Sequence, residues 1–198
     1  MEPEIKISAS PSTDGTRCTF TIDRPVLPGR SYYFGSKLRA EGSPLAEKIL
    51  EIPGVEAVLL SHDVVTVYAG EWEDWRTIGK QVGASIRAIL LTETPPVAAE
   101  VFENVPSPEE LRKVTEQVLE TQINPGVASH GGQVRLIDVK ENVLFIEMGG
   151  GCQGCGMASV TLRSGVERVL REFLPEVGDI LDVTDHAAGR NPYFQGAH

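Results

Sequence analysis

Gly149-Gly150-Gly151-Cys152-Gln153-Gly154-Cys155-Gly156 is the stretch that decides the fold of the second half of this chain. Before it, Val134–Val139 and Val143–Met148 are apolar, β-branched runs separated by Lys140-Glu141-Asn142, which predicts a hairpin. After it, apolar residues recur at helical spacing, at Val160, Val166, Val169, Leu170 and Phe173. The pattern therefore places Cys152 and Cys155 at a strand-to-helix junction.

The elements around this junction complete a small domain. Ser107-Pro108-Glu109-Glu110 is a strong helix start, with a capping serine, a proline at the first position and a glutamate three residues after the serine. We expect the buried face of this helix to consist of Leu111, Val114, Val118 and Ile123. A last strand is predicted near 180–183, so residues 107–198 form a two-layer domain of order α-β-β-α-β.

The first half of the chain predicts a second domain, residues 1–91. Its strand signals lie at residues 4–9, 17–22, 31–34, 55–60 and 64–68, with the last two joined as a hairpin through Ser61-His62-Asp63. Helices are predicted to follow Ser43-Pro44 and Asp74. Residues 92–106 are rich in proline and lack apolar periodicity, which is typical of a linker. The fold class is therefore α+β, with two small α/β-sandwich domains.

Composition and charge exclude several classes of function. The 198 residues are 41% hydrophobic and carry a formal net charge of -10, so we expect a soluble protein that does not bind nucleic acid. No apolar run approaches the roughly 20 residues that span a bilayer, and we expect no membrane partner. Three cysteines are too few for a secreted disulfide framework, which favours a reducing compartment, with the cytoplasm as the expected location.

The Cys152/Cys155 pair is suited to thiolate chemistry. Two cysteines three residues apart on a tight turn bring their sulfurs close enough to share one metal atom or to form one disulfide. The surrounding glycines leave backbone N–H groups open to an anion, and the helix that begins here favours the thiolate form. The plain alternative is that the pair packs as two small buried apolar groups in a glycine turn.

The number of ligands points to a second copy of the chain. Iron–sulfur clusters normally take four protein ligands, whereas this motif offers two, and Cys18 would raise the number only to three. A homodimer with the cluster on its two-fold axis supplies the missing pair, and such an exposed cluster suits delivery. Two other functions remain open at this point: a zinc-bridged dimer and a dithiol-disulfide oxidoreductase. Attachment of c-type haem is disfavoured because Gly156 follows Cys155.

The second half of the chain resembles the NifU-like, or Nfu, family of iron–sulfur cluster carriers. The residues that carry this resemblance, in order, are Asn124-Pro125, His130-Gly131-Gly132, Gly150-Gly151-Cys152-Gln153-Gly154-Cys155, Thr161-Leu162, Gly165-Val166-Glu167, Leu174-Pro175-Glu176-Val177 and Asp185-His186. The resemblance implies a 4Fe-4S cluster held by Cys152 and Cys155 of two copies. It also implies receipt of the cluster from an assembly scaffold and transfer to apo-proteins, without catalysis.

The first half is similar to the N-terminal domain that accompanies this module in many members of the family. The likeness rests on Pro25-Val26-Leu27, Ser43-Pro44-Leu45-Ala46, Gly54-Val55, Asp63–Val67 and Asp74-Trp75. It lacks the three-cysteine set of the A-type carrier domain that some relatives have instead. We expect this domain to contact client proteins or to position the cysteine domain.

We expect structural roles for the remaining candidate residues. Cys18 lies within a predicted strand, so we expect a buried thiol rather than a ligand. His130 precedes two glycines and is expected to be structural. The sequence contains no Ser-His-Asp pattern and no phosphate-binding loop, so an enzymatic function depends on the cysteine pair alone.

Overall fold

The computed structural model describes residues 4–70, 73–129, 131–150 and 156–183, and the chain divides into two compact units. The first unit comprises Met1–Pro106 with Pro175–Asp179, and the second comprises Ser107–Leu174 with Ile180–His198. Each unit combines a sheet with helices. The predicted fold class, α+β with two small domains, is confirmed.

The first unit contains a five-stranded antiparallel sheet. Its strands are β1 (Ile7–Pro11), β2 (Arg17–Ile22), β3 (Leu27–Phe34), β4 (Val55–His62) and β5 (Val64–Ala69), in the spatial order β1-β2-β5-β4-β3. All five predicted strands exist, and most extend beyond the predicted bounds. Pro11 ends β1 on the edge of the sheet, where a missing N–H costs least.

The two helices of the first unit begin where their capping residues predict. In α1 (Pro44–Leu50), the Ser43 hydroxyl accepts a hydrogen bond from the Ala46 N–H at 3.2 Å. In α2 (Trp75–Leu90), the Asp74 carboxylate accepts one from the Arg76 N–H at 3.0 Å. Both helices pack their apolar faces into the core, whose largest fully buried side chains include Phe20, Phe34, Leu45, Ile49 and Ile86.

The segment predicted as a linker has structure of its own in the first unit. Val97 is buried in the core, and a short 3-10 helix, Ala99–Phe102, packs Val101 and Phe102 against that core. A proline-rich stretch without apolar periodicity can therefore still add apolar groups to a core, one residue at a time.

The second unit contains a three-stranded sheet and two longer helical stretches. Its elements are α3 (Pro108–Val118), a π-helical turn (Leu119–Ile123), α4 (Asn124–Ala128), β6 (Gly132–Lys140), β7 (Val143–Gly150), α5 (Gly156–Phe173) and β8 (Ile180–Asp182). The spatial order is β6-β7-β8, with β6 antiparallel and β8 parallel to β7. The predicted capping box of α3 forms, because Ser107 and Glu110 each bond the other's backbone N–H.

Two side chains in the second unit depart from their predicted burial. Val114 is 37% exposed and Phe173 is 49% exposed, although both were predicted to face the core. Leu111, Val118 and Ile123 on the first stretch are buried as predicted, and so are Val166 and Leu170 on α5. Phe173 ends α5, and the buried positions of this last turn are Leu170 and Arg171 instead.

Both hairpin turns are shorter than predicted. Ser61 pairs with Val64 across the first hairpin, and Lys140 pairs with Val143 across the second, which leaves two residues in each turn. His62 and Glu141 adopt positive φ angles of 40° and 52° to close these turns. This conformation matches the strand twist in two-residue hairpins, although neither residue type predicts it.

Candidate metal centre

The candidate site lies between the end of β7 and the start of α5. β7 ends at Gly150 and α5 begins at Gly156, so residues 151–155 connect a strand directly to a helix. The predicted ligands, Cys152 and Cys155, lie outside the described residues, as does His130. The end of β7 and the start of α5 are therefore the two points at which the cysteine segment joins the described structure.

The strand that leads into the site is held on both sides. As the middle strand of the sheet, β7 pairs with β6 as far as Gly132 and Gly150, and pairs in parallel with β8 from Leu144 to Ile146. Its buried side chains include those of Val143, Leu144, Phe145, Ile146 and Met148. The strand is thus a fixed support up to the two glycines that end it.

The helix that leaves the site is fixed to the same sheet. Val166 and Leu170 are buried on its inner face, and the Arg163 guanidinium donates to the Asp182 carboxylate of β8 at 2.9 Å. Because α5 starts directly after Cys155, its unpaired first-turn N–H groups lie next to the cysteine pair in the chain. Such a helix start favours thiolates over thiols and so favours metal binding or redox chemistry.

An asparagine on α4 holds the strand that pairs with β7. The Val134 N–H donates to Asn124 Oδ1 at 2.8 Å, and Asn124 Nδ2 donates to the Val134 carbonyl at 3.0 Å. We refer to this pair of hydrogen bonds as the Asn124 clamp. Sequence reasoning noted Asn124 only as part of the family likeness and did not predict this contact. The available signal was an Asn-Pro pair inside a helical pattern.

A cavity of about 590 Å³ lies beside the end of β7. Its lining includes Asn124, Gln133, Arg135, Glu147 and Gly149, so one wall is the clamp and another is the strand that leads to the cysteines. The Arg135 side chain donates to Gln133 Oε1 at 2.8 Å along β6. The end of the sheet nearest the candidate site therefore has an open side that carries Gln133, Arg135 and Glu147, although Val134 and Met148 are buried there.

The third cysteine is not part of this site. Cys18 lies on β2 in the core of the first unit and is 2% exposed, as predicted for a structural thiol. Burial raises the pKa of the Cys18 thiol, which keeps it protonated and unreactive.

Among the described residues, no group of three or more histidine, cysteine and acidic side chains is placed to hold a metal ion. Within the same residues, no helix is both long and apolar enough to cross a membrane.

Comparison with known families matches both halves of the chain. Residues 115–181 match the model described as "NifU-like domain", and residues 5–93 match the model described as "Scaffold protein Nfu/NifU N terminal". The first match includes both strands of the hairpin, the cysteine pair and α5. The second includes the whole five-stranded sheet with its two helices.

Curated relatives agree with these models. The chain is 56% identical over 80 residues to the Fe/S biogenesis protein NfuA of Pseudomonas savastanoi, a match that covers 38% of this chain and 41% of the relative. It is 51% identical over 94 residues to NfuA of Pseudomonas aeruginosa, covering 46% of this chain and 48% of the relative. The matched region thus spans less than half the length of these relatives.

Two solved structures show a lower similarity. A NifU-like protein from Saccharomyces cerevisiae superposes with a TM-score of 0.44 at 18% identity, covering 50% of this chain and 91% of that one. A Staphylococcus aureus protein superposes with a TM-score of 0.36 at 20% identity, covering 41% of this chain and 98% of that one.

Proposed function

This chain belongs to the NifU-like (Nfu) family, and we propose that it carries an iron–sulfur cluster on Cys152 and Cys155 for delivery to other proteins. The observation that supports this most directly is the position of the pair between a strand fixed on both sides and a helix start. Such a junction provides two neighbouring thiolates and leaves room for a bulky inorganic group.

The proposal requires two copies of the chain. Cys18 lies in the core of the first unit on β2, so it is not available as a third ligand. Each copy then provides two thiolates, and a 4Fe-4S cluster bound on the two-fold axis receives its normal four. In this arrangement the cluster itself joins the copies, and releasing it to a client separates them.

The proposal also assigns a direction of transfer. The cluster is cargo, received from an assembly scaffold and passed to apo-proteins that bind it with a complete set of ligands. A recipient with four cysteines in one chain needs no second copy, so its site is favoured entropically over one shared between two chains. The protein is a carrier in this scheme rather than an enzyme, and it works in a reducing compartment such as the cytoplasm.

We further propose that the halves of the chain divide this work. Residues 107–198 hold the cluster, residues 1–91 contact clients or position the cluster domain, and residues 92–106 join them. The match of residues 5–93 to a family model of their own, described as "Scaffold protein Nfu/NifU N terminal", supports a separate role for this half.

Anaerobic reconstitution with iron and sulfide tests the proposal. We expect a coloured protein with the broad visible absorption of iron–sulfide bonds, four iron atoms for two chains and a mass that doubles on loading. Transfer is then measured by the activity regained by an apo-protein that needs a 4Fe-4S cluster. A colourless product that binds zinc with the same stoichiometry contradicts the proposal and favours a zinc-bridged dimer. Catalytic reduction of insulin disulfides instead supports an oxidoreductase.

A further inference from the structure

The Asn124 clamp occupies the open edge of the second sheet. β6 is an edge strand, and at Val134 both backbone hydrogen-bonding groups are used by a single side-chain amide, at 2.8 and 3.0 Å. Two hydrogen bonds of this kind are what a neighbouring strand would provide at one residue. Asn124 therefore acts as a one-residue substitute for a strand at this edge.

An irregular helix puts Asn124 in this position. α3, the π-helical turn and α4 follow one another without a break from Pro108 to Ala128. The Asn124 N–H donates to the carbonyl of Leu119, five residues back, so the turn contains one residue more than an α-helical turn. Ile123 and Val127 are buried on either side of Asn124 along the chain, which fixes the rotation of α4. The extra residue thus sets which side chain faces β6.

The clamp acts two residue pairs before the cysteine segment. Val134 pairs with Met148 on β7, and after it come only the pairs Gln133 with Gly149 and Gly132 with Gly150. Three of these last four residues are glycines, which have no side chain to pack and the greatest backbone freedom to lose. Among the described residues, the clamp and the buried Met148 side chain are therefore the last fixed points before the cysteines.

The cavity beside the strand end increases the importance of the clamp. About 590 Å³ of open space borders Asn124 and Gly149, so apolar packing does not hold the strands together on this side. If the clamp were lost, the two backbone groups of Val134 would be satisfied by water in this space, and the end of the hairpin would be free to separate from α4.

We propose that Asn124 is a positioning residue for Cys152, because it fixes β6 and thereby the end of β7 from which the cysteine segment continues. This inference rests on the proposed cluster-carrying function. In the loaded dimer the clamp keeps each cysteine pair in its binding geometry, and loosening it increases the rate at which the cluster is lost. The clamp thus determines how firmly the cargo is held rather than whether it binds.

The variant Asn124→Ala, measured in the full-length chain, tests this inference. We expect it to take up iron and sulfide in the same ratio as the wild type, but to release iron to an excess of a ferrous chelator roughly tenfold faster, because two hydrogen bonds are lost. In the apo form, the amide hydrogen of Val134 should exchange faster than in the wild type. If the alanine variant does not fold, iron release is measured instead in Asn124→Asp, which keeps an acceptor for the Val134 N–H.

The matched control is Val139→Ala, which removes buried methyl groups from the far end of β6 and changes neither partner of the clamp. A merely structural role for Asn124 predicts equally fast iron release from both variants, and this result overturns the inference. Release from Asn124→Ala at the wild-type rate overturns it as well. A wild-type chain that forms no cluster is a different result, since it contradicts the proposed function before any variant is compared.

Discussion

The two units of this protein carry their cysteines at different points of the chain relative to a sheet. Cys18 sits within a strand of the five-stranded sheet, where burial raises its pKa and neighbouring side chains exclude solvent. Cys152 and Cys155 follow the end of the middle strand of the three-stranded sheet, just before a helix begins. The comparison predicts that a position within a strand makes Cys18 a packing thiol, whereas a position after the end of a strand leaves Cys152 and Cys155 available for metal binding.

Replacing the cysteines tests this comparison most strongly, because the expected effect is complete loss of the cluster. We expect Cys152→Ser and Cys155→Ser each to abolish cluster binding and cluster-dependent dimerisation, because a single thiolate per chain leaves the cluster half-ligated. Cys18→Ala should retain the cluster, with only a loss of stability from the small cavity it creates. Iron content and chain mass after anaerobic reconstitution measure both outcomes. Loss of the cluster in Cys18→Ala with the fold intact would show that the buried thiol takes part.

Truncating one core leucine in each unit is expected to have the next largest effect. Leu45 on α1 and Leu170 on α5 are both fully buried, so replacement by alanine should lower the free energy of unfolding by about 2–5 kcal/mol in each case. Only Leu170→Ala should also weaken cluster retention, because α5 supports the cysteine segment. Denaturant unfolding of the apo protein and iron release from the loaded protein measure these effects. Equal iron release from the two variants would contradict this assignment of roles.

The two serine caps allow a finer comparison between the units. Ser43 is fully buried and its hydroxyl also donates to the Pro96 carbonyl at 2.9 Å, whereas Ser107 caps α3 on an exposed surface. We expect Ser107→Ala to cost about 1 kcal/mol and Ser43→Ala closer to 2 kcal/mol, since the second change also removes the hydrogen bond to the Pro96 carbonyl, which then keeps only the Leu45 N–H as a donor. Chemical denaturation of the two variants gives both values, and the reverse order would contradict the argument from burial.

The smallest expected effect is the part of the pH dependence of stability that comes from the cap of α3. The hydrogen bond from Ser107 lowers the pKa of Glu110 below its ordinary value of 4.5. The ionised carboxylate therefore adds stability above the pKa of the unfolded chain, and this contribution disappears as the pH falls through the lower pKa of the folded chain. Glu110→Gln should flatten the stability profile in that acidic range, and Ser107→Ala should do the same. If the slope of unfolding free energy against pH is unchanged in both variants, the ionisation of Glu110 does not contribute to stability as described.

Local patterns predicted much of the fold. Ser43, Asp74 and Ser107 each mark a helix start, because a side-chain oxygen that satisfies a first-turn N–H is a requirement visible in the sequence. The strands were predicted from their alternation, and the junction at residues 150–156 follows from a hairpin and a helix on either side of it. These features depend on neighbours within about four residues.

The features that sequence reasoning missed depend on distant partners. The contact of Asn124 with Val134 requires a π-helical turn whose cost is offset by packing against β6, and no short-range pattern encodes that packing. The exposure of Val114 has a related origin, because the face of α3 that is covered is decided by the sheet beneath it rather than by helical spacing alone. The roles of Cys152 and Cys155 remain predictions from their spacing and surroundings.

The parallel pairing of β7 with β8 has a consequence for the energetics of loading. Because α5 crosses from one of these strands to the other, residues 151–155 are tethered at both ends to a single sheet. Ordering a segment this short costs less chain entropy than ordering a long free segment around a bound cluster. Under the proposed function, loading and release of the cluster are then local events that leave the hydrophobic core intact, so that one molecule can carry successive clusters.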